Sequence, residues 1–186
     1  MALFRKSGEP HELSIALTGV RLGDRLLQIG CADPTLLGAI SSKVGLSGRA
    51  CVAVTGAEMA ARARRGAERA GVLVEVEQTN LPKLSFADSS FDLVVIDSTD
   101  GTLGSMSAAD RDACLHEARR LLVQRGRVVV VESGPRPGLM GMFRRPPINP
   151  SYQASGGSLA ALTAAKFRAV RTLAEREGLV FHEGSK

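Results

Sequence analysis

Apolar positions recur along this chain in two rhythms, short continuous runs and longer stretches with apolar residues three and four apart, and the two alternate. Glu12–Thr18 has the pattern of a brief helix that Gly19 ends. Arg25–Gly30 is an apolar run (Leu26, Leu27, Ile29) and predicts a first strand. Asp33-Pro34 then opens a helix over Pro34–Val44, with Gly45 as its stop. Asp is a favoured N-cap, and Pro suits the first helical position, where its missing N–H costs nothing. Arg49–Thr55 predicts a second strand, Ala57–Ala70 an Ala/Arg-rich helix ended by Gly71, and Val72–Glu77 a third strand. After a loop over Gln78–Ser90, Phe91–Asp97 is nearly all apolar, the pattern of a strand buried on both faces.

The second half continues the alternation. Ser107, with Asp110 three residues on, makes a variant of the capping box and starts a helix whose expected apolar face is Ala113, Leu115, Ala118, Leu121 and Leu122. Gln124-Arg125-Gly126 turns into a fifth strand, Arg127–Glu132. Ser158–Ala165 predicts a helix, and Phe167–Leu173 and Leu179–Glu183 two final strands joined across Glu175–Gly178. Strands alternating with helices of this length imply a parallel sheet covered on both sides, in one domain spanning 1–186. The irregular stretch is Ser133–Gly157, with five prolines and several glycines; a loop that long in a compact domain is a lid, a binding loop or disorder.

Arg25–Leu36 is the stretch around which the rest is organised. A strand, a glycine turn and a helix N-terminus present free N–H groups and the positive end of a helix dipole to a ligand lying across the turn, the first unit of a nucleotide-binding α/β fold.

Composition narrows the classes. With 44% hydrophobic and 23% charged residues, the 186-residue chain is ordinary for a globular protein. No apolar run approaches the ~20 residues of a transmembrane helix, and Met1–Pro10 lacks a signal-peptide core. Cys31, Cys51 and Cys114 show no CxxC spacing, which argues against a zinc site or a disulfide framework and suits a cytoplasmic protein. No His/Asp/Glu set has metal-ligand spacing, so no metal is expected. The net charge of +5 lies wholly in the last third: residues 134–186 hold 8 basic and 3 acidic residues, whereas residues 1–133 balance. Without a lysine-rich run or interleaved aromatics, no nucleic-acid partner is expected, and the excess is that of a solvated surface.

Five stretches in order resemble the class I S-adenosylmethionine (SAM) dependent methyltransferases, closest to the small-molecule and quinone-biosynthesis group. Leu26-Leu-Gln-Ile-Gly-Cys-Ala-Asp-Pro34 sits where that family has its glycine-rich loop, and Val52-Ala-Val-Thr-Gly-Ala-Glu-Met59 resembles its second strand and following helix. Leu84-Ser-Phe-Ala-Asp-Ser-Ser-Phe-Asp-Leu-Val-Val-Ile96 is the most specific match. His116-Glu-Ala-Arg-Arg-Leu-Leu122 and Leu162-Thr-Ala-Ala-Lys-Phe167 follow in family order, with Lys166 where glycine is usual. The resemblance implies a three-layer Rossmann-like α/β fold. Its seven-stranded sheet would be mostly parallel, in the order 3-2-1-4-5-7-6, with a C-terminal antiparallel hairpin.

It also implies SAM as cofactor, with Gly30, Cys31, Ala32, Thr55, Gly56, Asn80, Leu81 and Asp97 lining its cleft and 133–157 covering a small-molecule or lipid-like acceptor. The motif is degenerate. Gln28 stands where an acid is usual near the end of strand one, and the loop glycines become Gly30, Ala32 and Pro34. Thr55 replaces the acid that holds the ribose, and Asn80 the Asp that meets the adenine amino group, so weak cofactor binding is expected. Bland alternatives stand beside these roles: Asp33 as only a helix cap, Cys31 as small filler rather than a reactive thiol, His116 as a surface residue, His11 and His182 as isolated. Asp97 is the acid best placed to meet a substrate or the SAM amino group. No catalytic residue is assigned. The competing reading is a methyltransferase-fold module that has lost catalysis and serves binding or scaffolding. Leu139, Met140, Met142 and Phe143 beside Arg144 and Arg145 give 138–145 a third role, contact with a membrane surface or a second subunit.

Overall fold

The computed structural model of the chain describes residues 11–80, 83–134, 149–176 and 178–186. In chain order the elements are α1 (Glu12–Thr18), β1 (Arg25–Ile29), α2 (Pro34–Val44), β2 (Arg49–Val54), α3 (Gly56–Ala70), β3 (Glu75–Gln78) and β4 (Phe91–Ser98). They continue with α4 (Thr102–Ser105), α5 (Ala108–Leu121), β5 (Leu122–Ser133), α6 (Pro150–Ala154), α7 (Gly157–Ala164), β6 (Arg168–Arg176) and β7 (Leu179–Ser185). The seven strands form one sheet in the order β3-β2-β1-β4-β5-β7-β6. β1 to β5 run parallel and β7 pairs antiparallel with both β5 and β6, as the resemblance implies.

The core lies on both faces of this sheet. On one face Leu27, Ile29, Val94, Ile96, Val128 and Val130 pack against Leu115, Ala118, Leu121 and Leu162 of α5 and α7. On the other, Leu26, Leu93, Val95, Val129 and Val131 meet Leu36, Ile40 and Val44 of α2. β4 is buried on both faces, which is why its sequence shows no alternation. Helices α2 and α3 approach closely because Gly66 has no side chain. A Cβ there would stand 2.5 Å from the Pro34 carbonyl oxygen, inside any allowed contact.

Side-chain bridges fasten the loop before β4 to α5. Arg120 reaches Glu117, Asp88 and the Phe86 carbonyl, and Glu117 in turn accepts the Leu84 N–H at 3.0 Å. Two stretches that carry the resemblance, Leu84–Asp88 and Glu117–Arg120, are therefore halves of one contact.

The structure differs from the sequence expectation in instructive places. β3 begins at Glu75 rather than Val72, because Val72 donates its N–H back to the Ala67 carbonyl and closes α3 beyond Gly71. The buried face of α5 includes Cys114, and Ala113 is only half-buried. β5 starts at Leu122, and the expected turn around Arg125 is an irregularity within the strand, where the register with β4 shifts between Phe91 and Leu93. The final hairpin is longer than expected, with Glu175 inside β6. Two short helices, α4 and α6, add to the elements the sequence predicts. The latter lies inside the stretch expected to be irregular, and its start repeats the device of α2: Asn149 Oδ1 accepts the N–H groups of Ser151 and Tyr152, with Pro150 at the first position. Residues 138–145 and Leu81 lie outside the described residues. Among the described residues no helix is long and apolar enough to cross a membrane.

Candidate active site

The C-terminal ends of β1, β2, β4 and β5 lie side by side, the edge where open parallel sheets take their ligands. β1 runs into a turn at Gly30 with φ +82°, a conformation that favours glycine. Its N–H donates to the Ala53 carbonyl at 2.9 Å. A Cβ at Gly30 would lie 2.8 Å from the backbone oxygen of Asp97, so the turn closes directly onto β4. Gln28, fully buried in the middle of the sheet, donates through Nε2 to the Gly30 carbonyl at 3.0 Å. A carboxylate could not donate this bond, which accounts for an amide being compatible with the turn. Its Oε1 is buried without a partner among the described residues.

The two acidic residues at this turn serve the scaffold. Asp33 Oδ1 accepts the N–H groups of Thr35 (2.9 Å) and Leu36 (3.3 Å) and the Thr35 hydroxyl (2.6 Å), so Asp33 is the helix cap of α2. Asp97 is 2% exposed. Its Oδ2 accepts the Asp33 N–H at 2.9 Å, and its Oδ1 accepts the Thr99 N–H (3.2 Å) and hydroxyl (2.7 Å). Burial pushes its carboxyl pKa up, and these bonds oppose that shift. Its carboxylate is enclosed and ties the loop after β1 to the end of β4. Cys31 is likewise turned into the core with Leu37, Val52, Val54, Ala60 and Ala63, and burial pushes its thiol up to about 12, which disfavours the thiolate.

The other proposed cofactor residues stay at the surface of this edge. Ala32 is half-buried within the loop, while Thr55, Gly56 and Asn80 are exposed at the exits of β2 and β3. The N-terminus of α3, a helix of 15 residues, has no side-chain cap: Thr55 occupies the N-cap without bonding back, and Gly56 (φ +76°) has open space where a Cβ would stand. The start of α2 has its first N–H groups satisfied by Asp33, so among the described residues it is α3 whose first donors lack a side-chain cap. What this edge offers a nucleoside cofactor, among the described residues, is backbone donors and open space, with the neutral Thr55 at the exit of β2.

A second cluster, whose members lie far apart in the sequence, stands one strand further along the same edge. Glu132, at the end of β5 and in register with Ser98 of β4, has its Oε2 3.5 Å from His182 Nε2 of β7. The Tyr152 hydroxyl of α6 lies 3.5 Å from Glu132 Oε1 and 2.7 Å from the Ser158 hydroxyl of α7. His182 Nδ1 is 3.1 Å from the Thr172 hydroxyl of β6. The Arg111 guanidinium covers the Tyr152 ring at 4.4 Å, and burial raises the Tyr152 pKa. A cavity of about 230 Å³ lined by Arg111, Asp112, Leu115, Tyr152 and Ala161 adjoins the cluster between α5, α6 and α7. A larger cavity of about 720 Å³ lies at the opposite end of the strands, around Val44, Leu46, Arg49, Leu73 and Glu75, so volume alone does not locate the site.

Comparisons with known proteins show what the chain is similar to. A family model described as a methyltransferase domain matches residues 26–126. The ubiquinone/menaquinone biosynthesis C-methyltransferase UbiE of Cronobacter sakazakii (strain ATCC BAA-894) is 28% identical over 167 residues, covering 83% of this chain and 61% of that protein. This chain spans about half to three-fifths of the length of such curated relatives. Among solved structures, a SAM-dependent methyltransferase from Aquifex aeolicus superposes with a TM-score of 0.73 at 17% identity, over 94% of this chain and 88% of its own. PigF, solved with SAH, gives 0.62 at 17% identity over 93% and 54%.

Proposed function

The chain belongs to the class I S-adenosylmethionine-dependent methyltransferase family, and from that premise we propose that it transfers a methyl group from SAM to a small-molecule acceptor of the quinol kind. The observation that carries this reading is the uncapped N-terminus of α3, with Thr55 and Gly56 exposed beside the Gly30 turn. When bound, the cofactor supplies a methyl group on a sulfonium, already activated for displacement. The protein's task is then mostly alignment, which alone accounts for large accelerations when reacting atoms are held in line. In this reading Gly30 and Ala32 pass their backbone beneath the cofactor. The Thr55 hydroxyl and the first N–H groups of α3 meet the ribose hydroxyls, and the Asn80 side-chain oxygen accepts from the adenine amino group. Leu81, outside the described residues, is the remaining sequence candidate for the lining of the cofactor cleft. Cys31 and Asp97 act from behind, as filler and as the clamp that keeps the turn closed. The quinol kind of acceptor follows the relatives' printed activity, with 138–145 over the acceptor or against a second subunit or membrane surface.

The test is calorimetric titration of SAM and of its demethylated product into the purified protein. Saturable binding of both is expected. Absence of binding at millimolar cofactor would overturn the assignment. The neutral residues at Gln28, Thr55 and Asn80 favour a second reading, a binding module without catalysis. Binding without turnover of any quinol would establish that one.

A further inference from the structure

The geometry points to Glu132 as the proton acceptor on the acceptor side of the cleft, with His182 and Tyr152 as its positioning residues, acting on a phenolic hydroxyl. This rests on the methyl-transfer reading and extends it to the half of the edge that carries no cofactor residue. Of the two carboxylates at the ends of β4 and β5, Asp97 is fully bonded and enclosed, whereas Glu132 is not. Its side chain keeps 15% exposure, and among the described residues its oxygens are met at 3.5 Å, by the Tyr152 hydroxyl on one side and the His182 ring on the other. Catalytic hydrogen bonds are often long in the free protein and tighten only when the reacting complex forms.

Among the described residues, the surroundings hold Glu132 in place through contacts no shorter than 3.5 Å. Thr172 orients His182 through Nδ1, leaving Nε2 toward Glu132. Ser158 bonds the Tyr152 hydroxyl at 2.7 Å, and Arg111 fixes the ring while donating to the Leu103 and Met106 carbonyls. Five elements thus converge on one carboxylate. Ser133 closes the neighbouring ends of β4 and β5 by donating its hydroxyl to the Thr99 carbonyl at 2.6 Å.

The step balances without any further reactant. The acceptor's O–H bond breaks, its proton passes to a Glu132 oxygen, and the electron pair stays on the acceptor oxygen. From there it raises the nucleophilicity of that oxygen, or of the ring carbon ortho to it, toward the methyl group. The new bond forms to the methyl carbon as the carbon–sulfur bond breaks with its pair to sulfur; where the ring carbon is methylated, the hydrogen it carried then leaves as a proton to water and the C–H pair restores the aromatic ring.

The experiment compares the intact chain with Glu132→Gln, Glu132→Asp and His182→Gln, using 2-prenyl-1,4-naphthohydroquinone kept reduced as probe. Calorimetric binding of the demethylated cofactor comes first, and its absence in the unaltered protein means that the methyl-transfer reading itself has failed. With that binding intact and equal in all variants, Glu132→Gln is expected to lower kcat by at least a hundredfold at unchanged cofactor KM. Glu132→Asp should recover part of that loss, and His182→Gln should lose about tenfold. The melting temperature of Glu132→Gln should stay close to that of the unaltered protein. Equal kcat in Glu132→Gln and the unaltered protein would overturn the inference. So would a protein that binds the cofactor but neither binds nor methylates the hydroquinone, since no phenolic hydroxyl would then be recognised. A loss in Glu132→Gln matched by a loss of stability and not relieved by Asp would make Glu132 a structural staple between β5 and β7, and would also overturn it.

Discussion

The β4 end and the β5 end of the same sheet edge stand one strand apart, and each carries an acidic residue, yet the two sites are built to opposite ends. At β4, Asp97 accepts three hydrogen bonds inside the protein and is closed off from water. At β5, Glu132 is approached by a hydroxyl and an imidazole that both stop at 3.5 Å. Buried donors are costly to leave unpaired, so the first arrangement holds a loop shape. A partly exposed carboxylate met only by long contacts among the described residues can meet something else. An acid at the right strand end therefore says little until its lone pairs have been counted.

The largest expected effect breaks the β4 side. Asp97→Ala leaves the N–H groups of Asp33 and Thr99 and the Thr99 hydroxyl without their acceptor. A cost of about 2–4 kcal/mol is expected, since each unsatisfied buried donor costs roughly 1–3 kcal/mol and the loop can relax in part. Urea and thermal denaturation measure it. A shift of under about 0.5 kcal/mol would show that the clamp contributes little. Gly30→Ala attacks the same clamp from β1. Its positive φ and a Cβ 2.8 Å from the Asp97 oxygen should cost about 1–3 kcal/mol, and displacement of the turn should weaken cofactor binding as well. Stability lost with affinity retained would separate the turn from the ligand.

The contrast between these strand ends also explains what was legible in the sequence. The β1 turn is local: strand, Gly30, Asp33 cap and α2 occupy one contiguous stretch, so their signals reinforce each other, and the limits of α1 and α2 follow from Gly19, Asp33-Pro34 and Gly45. Glu132, Tyr152, Thr172 and His182 come from four elements separated along the chain. His182 in isolation looks like a residue near the C-terminus, and only the pairing of β7 between β5 and β6 brings it to Glu132. One clue was present for this region. Asn149-Pro150 repeats the Asp33-Pro34 signature, and it would have placed a helix and Tyr152 inside a stretch otherwise read as irregular. The enclosure of Asp97 had no such signal, because a backbone N–H supplied by Asp33 leaves no mark in residue type.

A smaller effect sharpens the comparison by adding charge to the cofactor half. A carboxylate holding both ribose hydroxyls makes charge-assisted bonds worth roughly 1.5–3 kcal/mol, of which one threonine hydroxyl supplies part. Thr55→Asp should tighten SAM by about tenfold, the equivalent of about 1.4 kcal/mol. The new acid would also sit at the N-terminus of α3, where the helix dipole favours it. Thr55→Ala should change little. Titration of both variants decides the matter, and no gain with Asp would show that the ribose is held elsewhere.

The smallest effect is a difference in sign across the acidic range. Burial raises the pKa of Asp97, so its folded form binds a proton more readily than its unfolded form. Its contribution to stability is therefore fully present below the unfolded value near 3.8 and is lost as pH rises through the raised folded pKa. Glu117 runs the other way. The Arg120 guanidinium lowers its pKa, so its contribution is present above the unfolded value near 4.5 and is lost as pH falls through the lowered folded one. Urea midpoints between pH 3 and 7 should show the advantage of the unaltered protein over Asp97→Asn growing toward acid. Its advantage over Glu117→Gln should shrink over the same range. Parallel curves for the two variants would mean that Asp97 is solvated in solution. The contrast between a spent carboxylate at β4 and an available one at β5 would then lose its first half.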